Sequence, residues 1–203
     1  MCILCEEKEI KNIERLEVCE KVKIIPHIQG LQKLICYSCP LITSIPHIEG
    51  LQKLICHDCP LLTSIPHIEG LQELDCSECP KITSIPNIEG LQELYCPLLT
   101  SIPNIRGLQE FYCFNCPLIT SIPHIEGLQK LYCLNCPLLT SIPNIEGLQK
   151  LYCYNCPKIA LIPDIQGLRE LYFHNCPYGI LSQERISAFL QKWWKRCFSR
   201  RKK

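Results

Sequence analysis

Glycine is scarce in this chain, at 9 residues in 203, and there are only one methionine and two tryptophans. So little glycine excludes collagen-like and flexible-linker compositions. The opening Met-Cys-Ile-Leu-Cys-Glu-Glu-Lys-Glu-Ile lacks the basic start and the run of about 7–15 apolar residues that mark a secretion signal. Export is therefore not expected, and the chain is expected in the cytoplasm. No uncharged apolar run approaches the ~20 residues that span a bilayer as a helix. Acids are missing after residue 190, where Lys192, Lys195, Arg196, Arg200, Arg201, Lys202 and Lys203 gather. The formal charge of +1 thus divides into seven positives at the end and a net −6 over residues 1–190. Such a mildly acidic body carries no general nucleic-acid footprint.

What the chain has in quantity is proline, 16 residues, and cysteine, 18 residues, and both recur at a fixed interval. The unit is Leu-Gln-x-Leu-x-Cys-x-x-Cys-Pro-x-Ile/Leu-Thr-Ser-Ile-Pro-x-Ile-x-Gly. Its opening leucines are Leu31, Leu51, Leu71, Leu91, Leu108, Leu128, Leu148 and Leu168, spaced by 20 residues except for one step of 17. The shortened copy, 91–107, loses three residues between Cys96 and Pro97. Ile13, Leu16 and Val18, followed by Ile25-Pro26-His27-Ile28-Gln29-Gly30, fit the same frame as a diverged first copy, which makes about nine strands in all.

A period near 20 headed by L-x-x-L-x-L-x-x-N/C-x-L resembles the leucine-rich-repeat family. In one copy the pattern runs Leu51, Leu54, Cys56, Cys59, Leu61, with cysteine in place of the third apolar residue and of the usual asparagine. The phrase Asn-Cys-Pro-x-Leu/Ile-Thr-Ser-Ile-Pro is similar to short repeats encoded by giant DNA viruses of amoebae. The resemblance implies an α/β horseshoe solenoid with a parallel sheet on its concave face and an irregular or 3₁₀ convex side. It also implies a protein-binding role, in host cytoplasm if the chain is viral. Elementary chemistry agrees on the fold. Unit positions 1, 4 and 6 point inward, and stacking the strands buries a column that no single copy could bury alone. On the return path Ser-Ile-Pro cannot be helical, because proline fixes φ and pushes the preceding residue out of the α region.

The expected organisation is an N-terminal extension over 1–12, repeats over 13–181, a capping helix over 182–198 and a basic tail over 199–203. The helix rests on Ser182 as N-cap and on Ile186, Phe189, Leu190, Trp193 and Cys197 at spacings of three and four.

Candidate recognition residues are those pointing outward from the strands. Position 5 holds Tyr95, Tyr112, Tyr132, Tyr152 and Tyr172, after Ile35, Ile55 and Asp75. Position 7 adds Phe114 and Tyr154, and position 8 adds Asn115, Asn135 and Asn155. Tyrosine and asparagine give rigid amphipathic area and adaptable hydrogen bonding, the mix favoured at recognition surfaces. The competing reading is that tyrosine merely suits a strand and stacks on its copy. Position 3 alternates in blocks: Lys33 and Lys53, then Glu73, Glu93 and Glu110, then Lys130 and Lys150, then Glu170.

Six copies carry C-x-x-C, a spacing that out of context signals zinc. Phe173 at the equivalent of the first cysteine and the lone Cys96 argue instead for structural thiols. No metal, cofactor or disulfide is expected, and a zinc-binding cysteine-repeat protein is the alternative. His27, His47, His67 and His124 alternate with Asn87, Asn104 and Asn144, as a polar turn residue does. No catalytic constellation stands apart from the repeat, whereas catalysis needs one asymmetric arrangement, so no enzyme and no small-molecule substrate are expected. A second functional alternative is a membrane or nucleic-acid tether through the seven basic residues after 190.

Overall fold

A computed structural model describes residue 4 and residues 13–96, 98–160 and 162–177 of the 203. The 182–198 helix and the basic residues from Lys192 to Lys203 lie outside the described residues, as does most of the 1–12 extension.

The described chain is a parallel β-solenoid. Nine strands follow one another in a single sheet in chain order: β1 (Arg15–Val18), β2 (Lys33–Tyr37), β3 (Lys53–His57), β4 (Glu73–Asp75), β5 (Glu93–Tyr95), β6 (Glu110–Phe114), β7 (Lys130–Leu134), β8 (Lys150–Tyr154) and β9 (Glu170–His174). Register keeps like on like: Leu34 pairs with Leu54, Cys36 with Cys56 and Tyr132 with Tyr152. The diverged first copy joins in register, Leu16 on Leu34 and Val18 on Cys36. The three-residue deletion is absorbed outside the strands, since Glu93, Leu94 and Tyr95 still face Glu110, Phe111 and Tyr112.

Inside each full-length coil from Leu31 to Ile165 the buried positions are 1, 4, 6, 9, 12, 15 and 18, as in Leu51, Leu54, Cys56, Cys59, Leu62, Ile65 and Ile68. The spacing of three after the strand is that of an extended return path, which the Ile-Pro steps enforce. The return path is extended and not 3₁₀, and no α-helix occurs among the described residues. The stacked-coil expectation therefore holds, while the α/β horseshoe with its cap does not emerge from these residues. The coils that open at Leu31 through Leu148 each turn twice through left-handed backbone. One turn closes on a glycine, such as Gly50 at φ +78°. The other passes through position 8, where Ser38, Asp58, Glu78, Asn115, Asn135, Asn155 and Asn175 all have φ between +48° and +57°. No polar or charged side chain is buried among the described residues, and no described helix is long and apolar enough to cross a membrane.

Candidate functional site

The outward side of the sheet carries the candidate residues, and strand register alone sets their geometry. In-register strands lie ~4.8 Å apart, close to the thickness of two stacked rings, so identical tyrosines on successive strands must meet face to face. Tyr95 and Tyr112 stack at 4.1 Å between centroids, Tyr112 and Tyr132 at 4.6 Å, and Tyr132 and Tyr152 at 4.9 Å. Tyr172 ends the row, tilted at 6.0 Å from Tyr152 and substantially exposed. Phe114 meets Tyr112 edge-on at 5.8 Å, and Tyr154 stacks on His174 at 5.1 Å. All the aromatic candidates thus form one surface, but their ring faces are spent on each other. What they offer outward is ring edges and hydroxyls.

The position-3 row borders this ladder, and its part was not evident from the sequence. Tyr95 donates its hydroxyl hydrogen bond to Glu93 at 3.2 Å, Tyr112 to Glu110 at 2.5 Å and Tyr152 to Glu170 at 2.5 Å. Burial raises the Tyr95 pKa to about 12, and burial together with the Glu110 carboxylate raises that of Tyr112 further. The Glu170 hydrogen bond, then burial, raises Tyr152 to about 12. Burial would push the Glu110 carboxyl up, but hydrogen bonds from Lys130 and Tyr112 outweigh it and hold the group below its ordinary value. The charge blocks also make sense here: ion pairs form where they meet, at Lys53–Glu73, Glu110–Lys130 and Lys150–Glu170.

Asn115, Asn135 and Asn155 sit in the turns just after β6, β7 and β8, together with Asn175 after β9. Their left-handed backbone is one that asparagine tolerates better than most residues. Their amides bond in series, Asn135 to Asn115 at 2.8 Å, Asn155 to Asn135 at 2.9 Å and Asn175 to Asn155 at 2.8 Å. They are turn formers first, with part of each amide left for a partner. A shallow depression of about 400 Å³ opens between Asn135, Asn155, Asn175, Pro137 and Pro157.

The thiols line the opposite, inner side. The second cysteine of each motif donates through Sγ to a strand-end carbonyl of the preceding coil, as Cys39 does to Val18 at 3.4 Å and Cys156 to Cys133 at 3.4 Å. Each of these thiols thus satisfies a buried carbonyl with a compact donor. Thirteen described cysteines form no disulfide.

Two findings go beyond the expectation of unbonded, independent thiols. Cys76 and Cys96 form a disulfide, with Cα atoms 5.1 Å apart. Parallel Cβ vectors argue against such a bond wherever both cysteines lie within paired strands. But β4 ends at Asp75 and β5 at Tyr95, so these two lie just beyond the ladder and their side chains converge. The second finding is that Cys113, Cys116 and Cys136 bring their sulfurs within 4.8 Å of one another. Hydrogen bonding among the three thiols raises the Cys113 pKa well above the ordinary thiol value and lowers that of Cys116.

Set against known protein families and curated proteins, the chain matches none.

Proposed function

We propose that the chain is a non-enzymatic protein-binding scaffold of the leucine-rich-repeat kind, engaging its partner on the outward face of the sheet. The observation that carries this reading is the unbroken ladder Tyr95, Tyr112, Tyr132, Tyr152 and Tyr172, bordered by carboxylates and lysines and followed by the asparagine row. Aromatic edges and hydroxyls in a rigid, pre-ordered array give area and hydrogen bonds at little entropic cost, which favours binding. No enzyme is invoked, because each polar group on this face is one of a series and no single place gathers a nucleophile, a base and an oxyanion site. A cytoplasmic setting, that of an infected host if the chain is viral, suits a core of mostly free thiols.

The test compares affinity capture from the native cell by three forms of the protein. Changing Tyr132 and Tyr152 together to serine is expected to weaken capture at least about tenfold, with the circular dichroism spectrum retained. Changing both to phenylalanine keeps the stack and isolates what the hydroxyls contribute. Capture that survives both double changes but fails when His67 and His124 are altered puts the interface on the return side of the coils and refutes the reading.

A further inference from the structure

The structure assigns Cys113, Cys116 and Cys136 to a three-thiol site that binds one trivalent thiophilic ion, arsenic(III) or antimony(III), as a neutral tris-thiolate. Cys113 comes from β6, Cys116 from the turn after it and Cys136 from the turn after β7. The Cys113 and Cys136 sulfurs are 3.6 Å apart, and all three lie within 4.8 Å of one another.

Among the described residues, only this trio gathers closely enough, although the motif recurs along the chain. It stands directly after the shortened coil. There Cys96 is tied to Cys76, and no second cysteine precedes Cys116 at its position.

Ligand number and charge select the ion. Zinc wants four ligands in a tetrahedron. Here three sulfurs lie within 4.8 Å of one another, and no fourth His, Cys, Asp or Glu among the described residues joins all of them within that distance. Three thiolates on a divalent ion leave one negative charge, and on copper(I) they leave two. All three cysteines are fully buried, and an uncompensated charge in so dry a core is strongly disfavoured. On a trivalent ion the charge is zero. The reaction with arsenite balances without any redox partner: arsenic trihydroxide and three thiols give three As–S bonds and three waters. Each As–O bond breaks with its hydroxyl leaving on the thiol proton. Exposed Asn115 and Pro117 flank Cys116, so opening of that turn is the entry route.

The experiment uses full-length chain, reduced and freed of reductant, then incubated with arsenite, desalted and measured by intact mass and elemental analysis. One arsenic per chain is expected, with a mass gain of one arsenic less three protons. Cys136→Ala and Cys113→Val should each lower retention at least tenfold, whereas Cys39→Ala should leave it unchanged. Circular dichroism identifies any variant that fails to fold, and the other then decides. Phenylarsine oxide, which needs only two thiols, should still load Cys136→Ala. No arsenic on the wild type, retention by the folded trio variants equal to that of the wild type, or stoichiometric zinc or copper(I) in place of arsenite overturns the assignment.

Discussion

The coils before the shortened copy and the coils after it share one core and one backbone but present different outward faces. Before it, position 5 holds Ile35, Ile55 and Asp75, and position 8 holds Ser38, Asp58 and Glu78. After it, the same positions hold only tyrosine and only asparagine, and both rows become ladders of identical side chains. Yet Asp58 and Asn135 adopt nearly the same left-handed turn, at φ +54° and +55°. Fold and face are thus separable in a solenoid: inward positions meet the same neighbours in every coil and are held to a narrow choice, while outward positions are free to diverge. Ile35 and Ile55 differ from the tyrosines in a further way, being buried outside the core cluster. The disulfide lies at the border of the two halves.

Breaking that border gives the largest expected effect. A bond closing a loop of about 20 residues stabilises by roughly 3 kcal/mol in the chain-entropy description. Reduction, or Cys76→Ala, is therefore expected to lower the free energy of unfolding by about that amount in urea titrations. Cys36→Ala, which removes an unbonded thiol from the same column and leaves the bond in place, should lose as much on reduction as the wild type, whereas Cys76→Ala should show no dependence on reductant. If reductant leaves the wild-type curve unmoved, the two halves are not stapled.

The asparagine ladder gives the next effect. Asn135 supplies a tolerated left-handed residue and two amide bonds, so Asn135→Ala is expected to cost about 2 kcal/mol, from backbone strain and a broken series. Asn135→Gly restores the backbone and should recover roughly half. In the other half the experiment runs backwards: Asp58→Asn and Glu78→Asn together should gain up to ~1 kcal/mol by starting a second such pair. Loss of stability on that exchange would show that the earlier coils depend on their own polar pairs, such as Ser38 to Asp58 at 2.9 Å.

The tyrosine ladder should make the later coils sensitive to alkali. Tyr95 and Tyr152 ionise at about 12 in the folded chain, against ~10 when unfolded. Above about pH 10 the unfolded chain has shed protons that the folded one still holds, so stability is full below that pH and falls as pH rises toward about 12. Unfolding midpoints at about pH 9 and about pH 11 should differ by less in Tyr152→Phe than in the wild type. Equal differences would mean that the ladder does not govern the alkaline transition.

Much of this was legible from periodicity. The repeat length gives the coil, the doubled prolines give the extended return path, and position 6 gives an inward thiol. Less legible was anything that depends on what lies one coil away. Asn115, Asn135 and Asn155 read as recognition residues, and what the pattern did not show is that their amides also bond one another across coils, between residues 20 apart. The tyrosines could be read as a recognition surface or as rings stacked on their copies, and the centroid spacings and the point where stacking gives way to a tilt depend on strand register, which a single copy does not show. The Cys76–Cys96 bond depends on where β4 and β5 end, and strand ends are the weakest inference from pattern. The lysine and glutamate blocks were visible, but their purpose lies at the block edges, where Lys53 meets Glu73 and Glu110 meets Lys130.

The same blocks leave one residue in an unfavourable place, and it yields the smallest effect. Glu93 is paired in register with Glu73 on one side and Glu110 on the other. Each of those has a lysine beyond it, but no ion pair reaches Glu93 among the described residues. Its contact is the Tyr95 hydroxyl. Like charges directly opposite on neighbouring strands destabilise by a few tenths of a kcal/mol, and a neutral amide still accepts the tyrosine hydrogen bond. Glu93→Gln is therefore expected to stabilise by ~0.3–0.5 kcal/mol at low salt. The gain should fade at about 1 M salt, where screening reaches only ~3 Å. Lys53→Gln, which breaks a pair at a block edge in the other half, should do the opposite by a similar amount. If Glu93→Gln destabilises instead, the charged hydrogen bond to Tyr95 outweighs the repulsion, and the tyrosine ladder depends on its acidic border more than on its stacking.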